Sequence, residues 1–394
     1  MQESNYLLNS MVQRVGDFIQ IRRDIHAQPE LAFQEHRTAS LVARKLTDWG
    51  YEVTTGLGGT GVVGTLRRGQ KGKSIGLRAD MDALPILESG SSPWKSQTAG
   101  IMHACGHDGH TAMLLAAAKL IAEDLEFNGV VHLIFQPAEE GAGGALKMME
   151  DGLFDRFPCD AVFAMHNMPG IEAGRLEFRK GSAMASSDNV TITLNGRGGH
   201  GAFPHESTDS VVAASSIVMA LQTVVSRNVD PQKTAVVTVG AIHAGIANNV
   251  IPQTATLELS IRALDTEVRA LLKERIQALV KLQAESYGVQ ASIDWREGYA
   301  VLVNTPNETE FATQVALKIF GVNRVEPNGP AYTASEDFAF MLQKVPGSYI
   351  FIGNGGPGTR GACHVHNPGY DFNDEIIAPG AAFWIALVER FLAQ

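Results

Sequence analysis

Residues 103–111 read HACGHDGHT, a cysteine and three histidines within eight positions, directly ahead of a small and apolar run at 112–121. Thiolate sulfur and imidazole nitrogen are good donors for a borderline divalent ion such as Zn, Mn, Co or Ni, and poor ones for Ca or Mg. In an extended segment alternate side chains share a face, so Cys105 and His107 can point at one ion, whereas on a helix they diverge. The spacing therefore predicts ligands just ahead of a helix that begins near Asp108. The competing reading is a buried cysteine beside loop histidines, and the rest of the chain has to decide between them.

Further downstream, residues 136–140 read QPAEE. Neighbouring carboxylates repel one another, so a purely structural site gains little from two of them. Around a metal they can divide the work, one glutamate binding the ion while the other takes a proton from water. The plainer alternative is a solvated acidic helix start. His166, in MHNMP at 165–169, and His364 and His366, in ACHVHNP at 362–368, extend the set, and of the last two only one is needed.

The elements that must position these residues follow from periodicity. Helical spacing at 17–27 is stopped by Pro29, and a second helical pattern at 39–49 ends at Gly50. Short apolar runs at 61–66 and 74–79 predict strands around a basic turn at 67–73, the second leading into Asp80. Helix 108–124, strand 130–135, helix 142–150 and strand 161–165 then alternate, the rhythm of a mostly parallel sheet flanked by helices. Such sheets bind ligands beyond the carboxyl ends of their strands, and Asp80, Glu139, Glu140 and His166 all fall at predicted strand ends. They are expected to converge at one rim with Cys105 and His107. Near Ser186 the pattern changes to strand 189–195, helix 209–226, strands 234–240 and 254–261, helix 267–286 and strand 289–295. This predicts an inserted α+β module at 186–296, its helices on one face of an antiparallel sheet, with the larger α/β domain formed by 1–185 and 297–394. The larger sheet resumes with helix 310–319, strand 348–353 and helix 378–392.

Composition bounds the rest. A chain of 394 residues exceeds what one core usually supports, in keeping with two domains. With 42 acidic and 32 basic residues the net charge is −10, which argues against nucleic acid as the partner. Three cysteines are too few for a disulfide framework, and a thiolate at Cys105 suits a reducing compartment. Residues 1–20 lack the apolar stretch and cleavage site of a secretory leader, and no run resembles a membrane span, so a soluble cytoplasmic protein is expected.

Nine segments, in order along nearly the whole chain, resemble the M20 metallopeptidase and aminoacylase group, in particular its branch of hippurate hydrolases, auxin-amide hydrolases and bacterial N-acyl-amino-acid amidohydrolases. They are RRDIHAQPE at 22–30, GLRADMDALP at 76–85, HACGHDGHT at 103–111, QPAEE at 136–140, HNMP at 166–169, GRGGHGAFPH at 196–205, NVIP at 249–252, SEDF at 335–338 and HNP at 366–368. The resemblance implies a zinc-peptidase-like catalytic domain with a ferredoxin-like lid and dimerisation domain. It implies two divalent metal ions per subunit held by Cys105, His107, Glu140, His166 and His366, with Cys105 in the bridging place that an aspartate takes elsewhere in the superfamily. Glu139 matches the general base. Arg78 stands where other branches carry a ligand histidine, and Asp80 is given an orienting role beside the metal ligands. His200 matches the donor to the oxyanion, reaching the site from the partner subunit of a homodimer or higher homo-oligomer, and Asn249 and Arg262 match residues that hold the substrate's free carboxylate. The implied reaction is hydrolysis of an N-acyl amino acid to an amino acid and a carboxylic acid, with hippurate-like or short acyl groups favoured. Dipeptides, aminobenzoyl-glutamate and N-acetyl-diaminopimelate share the machinery. A catalytically silent binding protein of this fold would be expected to have lost a ligand or the base, and neither is missing here.

Overall fold

The computed structural model describes Leu8, residues 10–70 and residues 72–393. Part of the opening stretch 1–20, read above as carrying no leader, lies outside the described residues, as does Lys71 of the predicted turn. The chain divides into two compact units.

The larger unit comprises the described residues up to Gly181, then Val303–Pro330, then the described residues from Asp337 onward. Its centre is an eight-stranded sheet in the order Glu52–Leu57, Gly61–Arg68, Gly129–Gln136, Lys73–Asp80, Ala161–Pro169, Gly347–Gly355, Leu176–Glu177, Val325–Glu326. The four strands from Gly129–Gln136 to Gly347–Gly355 run parallel, as the alternating pattern predicts, while the Glu52–Leu57 and Gly61–Arg68 hairpin adds antiparallel strands at one edge. The edge strand Glu52–Leu57 has no counterpart in the sequence reading, because its mostly polar residues (EVTTGL) carry no buried alternation. Strand Ala161–Pro169 also continues past His166, so that this histidine lies inside the strand and not at its end.

Helix His107–Glu123 is buried along most of its length, as is helix Ile377–Phe391 against which it packs. A helix apolar on all sides belongs in a core. Its small residues Ala112, Ala116, Ala117 and Ala118 are fully buried and let neighbouring elements approach closely. That burial makes the first turn of the helix, which carries His107, a rigid support.

The smaller unit spans Ser182–Leu302 and takes in Ala331–Glu336, so it is wider than the 186–296 read from the sequence. The added segment is stitched in through its backbone: the Ala185 amide lies 3.0 Å from the Tyr332 carbonyl oxygen and 2.9 Å from that of Ala334. Strands Ser186–Asn195, Ala235–Ala244, Thr254–Ala263 and Gln290–Glu297 form an antiparallel sheet ordered Ala235–Ala244, Thr254–Ala263, Ser186–Asn195, Gln290–Glu297. Helices Ser210–Asn228 and Thr266–Ser286 follow the first and third strands, giving the ferredoxin-like βαββαβ order. Asp209 and Asp265 cap the two helices by accepting backbone N–H bonds. Contrary to the sequence reading, Ser210–Asn228 has the length and mean hydropathy (1.4) of a membrane span. Its Ala213, Ala214, Ile217, Leu221 and Val224 are buried in the core of this unit.

Candidate metal centre and active site

Gly106 sets the start of the site. Its φ of 91° lies in the left-handed region, and a Cβ there would come within 2.5 Å of both Asn167 Nδ2 and the Tyr370 hydroxyl. Only glycine fits that approach. His107 opens the helix, and Asn167 Nδ2 in turn donates to the Cys105 carbonyl at 2.7 Å. Two further turns use positive φ without glycine: Ala138 (54°), one residue before Glu139, and His366 (64°). Such backbone costs of order 1–3 kcal/mol and gathers at functional sites. The Ala138 amide is held by Glu35 Oε1 at 2.9 Å, and the His366 amide by the Ala104 carbonyl at 2.7 Å.

These turns bring the predicted donors together. Ligand-capable atoms of Cys105, His107 and His166 all lie within 4.8 Å of one another, as do those of Cys105, Glu140 and His366, and those of His107, Glu139 and Glu140. Cys105 Sγ is 3.4 Å from His166 Nε2, and Glu140 Oε1 is 3.2 Å from His366 Nε2 and 3.9 Å from His107 Nε2. The buried His107 Nε2 and Glu140 Oε1 have no hydrogen-bond partner among the described residues. Two buried lone-pair donors converging on one space are what a cation would satisfy. The donor set of thiol, imidazoles and carboxylates fits a divalent transition ion.

Tautomers follow from the partners. His166 Nδ1 lies 2.6 Å from the Asn167 carbonyl, to which it can only donate, so its Nε2 lone pair faces Cys105. His107 Nδ1 lies 3.2 Å from Asp82 Oδ1, which leaves Nε2 toward Glu140. His110, the third histidine of the cluster, is spoken for at both nitrogens. Nε2 accepts the Asn167 backbone N–H at 3.1 Å and Nδ1 donates to Asp80 Oδ1 at 2.6 Å. Asp80 Oδ2 accepts from Arg78 Nη1 at 2.7 Å and lies 3.7 Å from His107 Nε2. Asp80 thus anchors His110 and Arg78, while the carboxylate bonded to His107 is Asp82, which the sequence reading passed over. Asp82 Oδ2 also accepts the Glu140 backbone N–H at 2.9 Å, tying two donors to one buried group. The signal for it was available in the motif at 76–85, where a second aspartate follows Asp80 by two residues.

Charge and burial set the protonation of the cluster. Burial, together with the carboxylates of Glu140, Glu139 and Asp80, pushes the Cys105 thiol well above its usual range. Burial would lower His107, but the charges of Asp80 and Asp82 and the bond to Asp82 outweigh it and raise the ring to about 10. Burial and the neighbouring His110 hold His166 well below the usual histidine range, in the neutral form that ligates.

The remaining predicted residues belong to the smaller unit. His200 is exposed and pairs in register with Val250 in a two-stranded ribbon, which brings it beside Asn249, whose carbonyl accepts the Gly201 N–H at 2.8 Å. The His200 Nδ1 accepts from the Ala202 amide at 3.0 Å, so the proton sits on Nε2. Arg262 lies on strand Thr254–Ala263 and donates to Ser335 Oγ at 2.9 Å. It is half-buried and has no ion-pair partner among the described residues.

A parallel α/β core carrying clustered thiol, imidazole and carboxylate donors, interrupted by an antiparallel α+β unit, defines a class of metal-dependent hydrolases. The chain belongs to peptidase family M20/M25/M40, which it matches over residues 76–390. It is 46% identical to a hippurate hydrolase of Campylobacter jejuni, over 98% of this chain and 99% of that protein. It is 37% identical to an N-acetyl-L-cysteine deacetylase of Bacillus subtilis, over 99% of this chain and 91% of the relative. Among solved structures it resembles a dinuclear metal-binding M20 peptidase of Bacillus subtilis, with a TM-score of 0.83, 31% identity, and coverage of 98% and 99% of the two chains.

Proposed function

We propose that the chain is a metal-dependent amidohydrolase that cleaves the amide bond of N-acyl amino acids, with hippurate-like aromatic or short acyl groups preferred. The observation that carries this reading is the convergence of His107 Nε2 and Glu140 Oε1, neither of which makes a hydrogen bond among the described residues, beside the Glu139 carboxylate. Cys105, His107, Glu140, His166 and His366 would hold two ions of Mn, Zn, Co or Ni, which when bound acidify the attacking water and polarise the amide carbonyl. Glu139 then accepts the water's proton and returns it to the leaving nitrogen, general-base and general-acid work for one carboxylate. Asp82 keeps the His107 ring turned with Nε2 inward, and the Asn167 carbonyl does the same for His166.

The smaller unit serves as lid and dimerisation domain in this reading. The exposed Nε2–H of His200 donates to the oxyanion, from the partner subunit of a homodimer. Arg262, half-buried without a carboxylate partner, and Asn249 receive the substrate's carboxylate, for which the planar guanidinium is well suited. All three cysteines are free thiols, in keeping with the cytoplasm.

The test is a substrate screen of metal-loaded protein against hippurate, N-acetyl amino acids, dipeptides and aminobenzoyl-glutamate. Hydrolysis of the first two groups, abolished by a chelator and restored by Mn or Co, is expected. Exclusive cleavage of dipeptides, or turnover that survives complete metal removal, would overturn the reading.

A further inference from the structure

The motif RRDIHAQPE at 22–30 takes no part in the chemistry above, yet it builds a buried cluster of charges in the larger unit. Arg22, on helix Gly16–Ala27, is 0% exposed. Its Nε lies 2.8 Å from Asp108 Oδ2, its Nη2 donates to Asp371 Oδ1, and its Nη1 is 3.5 Å from Asp374 Oδ1. Trp94 and Phe372 each place a ring 5.7 Å from the guanidinium, and Trp94 Nε1 donates to the same Asp371 oxygen at 3.1 Å. Arg23 bonds Asp374 at 2.7 Å, and Arg360 bonds it at 3.3 Å. His26 lies between Asp108 (2.8 Å) and Glu88 (3.4 Å). Burial opposes its charge, but the Asp108 carboxylate prevails and raises the ring to about 9.

Burying ions is a poor way to gain stability, since desolvation offsets most of the attraction and apolar packing does as well. What the cluster provides is geometry. Asp108 is the second residue of the helix that His107 opens, and Asp371 and Asp374 close the loop that carries His366. Glu88 and Trp94 belong to a further loop, bonded to the His366 loop through the Ser89 N–H and the Pro368 carbonyl at 2.8 Å. The donors differ in how they are supported. His107 and His166 stand on a buried helix and a central strand, each ring held by its own Nδ1 bond. The His366 side chain is 52% exposed and stands on irregular chain at φ 64°.

We propose that Arg22 is a positioning residue for the metal centre: by pairing its charge with Asp108 while its Nη2 donates to Asp371, it fixes the His366 loop against the His107 helix, and so sets the Cys105–Glu140–His366 donor group. The His107 and His166 rings keep their own Nδ1 bonds without it. The proposal rests on the two-ion reading above.

The experiment measures cobalt binding to the full chain by equilibrium dialysis, with the visible spectrum of the singly loaded protein as a second readout. Arg22→Lys keeps the charge but loses the fork that spans two carboxylates. Asp371→Asn weakens the other end, and Tyr51→Phe, which removes a buried bond to the Ala118 carbonyl remote from this cluster, controls for general loss of stability. Arg22→Lys and Asp371→Asn are each expected to weaken one of the two ions by about 10–100-fold, the usual effect of removing a group that orients a ligand, and to leave the other ion and its spectrum as in the wild type. Tyr51→Phe should leave both ions unchanged. Wild-type affinity for both ions in Arg22→Lys and Asp371→Asn, or equal weakening of both ions, overturns the proposal while leaving the two-ion reading intact. Should Arg22→Lys fail to fold, Asp371→Asn carries the same expectation alone. A wild-type chain that binds fewer than two ions overturns both.

Discussion

Glu139 and Glu140 are adjacent in sequence and alike in chemistry, and the structure gives them different surroundings. Glu140 has its amide tied to Asp82 and one carboxylate oxygen facing His366 and His107, whereas Glu139 is buried beside them. Substitution should separate the two. Glu139→Gln is expected to retain metal and lose kcat by about two to four orders of magnitude, the usual scale of a lost general base. Glu140→Gln should lose bound metal, and the opposite pattern in metal analysis would reverse the roles. The same cluster predicts a coupling between metal and protons. Cys105, held well above its usual range, and His107, raised to about 10, both carry protons at neutral pH in the metal-free chain. Ligation must expel them, so binding at pH 7 should release about two protons and tighten as pH rises toward 10. Calorimetry in buffers of different ionisation enthalpy reads that number directly, and an affinity independent of pH between about 6 and 8 would contradict the assignment of these two groups as ligands.

At the scale of elements, the parallel strands and the buried helix were legible because their residues are apolar in uninterrupted runs, and the strand ends located Asp80, Glu139 and Glu140 but not His166, which lies inside its strand. The details that orient them were not. Whether Asp80 or Asp82 meets His107 depends on where strand Lys73–Asp80 stops and the chain turns, which periodicity locates only to within a few residues. Nothing in the sequence marks Ala138 as left-handed, since alanine does not favour that region, and the enrichment of histidine there is too weak to single out His366. His110, on the helix beyond the chosen pair, has both ring nitrogens taken by the Asn167 amide and Asp80. Gly106 is the legible exception, a glycine between two donors. Gly106→Ala would place a Cβ 2.5 Å from Asn167 and Tyr370 while keeping φ near 91°. A loss of about 1–3 kcal/mol is expected from the strained backbone alone, read as a lower denaturant midpoint, together with reduced metal content. Unchanged stability and metal binding would mean that the turn relaxes freely and does not set the site.

For the molecule as a whole, the smaller unit suggests how a second copy would be met. Its sheet has two edges of unlike character. Strand Gln290–Glu297 carries Asp294, Arg296 and Glu297, charges that discourage pairing, whereas strand Ala235–Ala244 has no Lys, Arg, Asp or Glu and leaves Ile242 53% exposed. Helix Ser210–Asn228, which packs on that open strand, exposes Val211, Val212 and Met219, the last at 71%. An uncharged edge beside an apolar helix face is suited to an antiparallel continuation of the sheet by the same strand of another chain. Ile242→Lys should therefore yield monomers by sedimentation. If His200 acts across that junction, the monomers should also lose turnover while retaining their metal, because each site then lacks its oxyanion donor. The decisive experiment mixes two inactive proteins, His200→Ala and Glu139→Gln, under conditions that allow subunit exchange. A mixed dimer pairs the intact Glu139 of one subunit with the intact His200 of the other, so activity should return in part. If His200 serves its own chain, every site in the mixture still lacks one group and nothing returns. Absence of recovery despite demonstrated exchange, or full activity in the Ile242→Lys monomer, would place the oxyanion donor within a single chain.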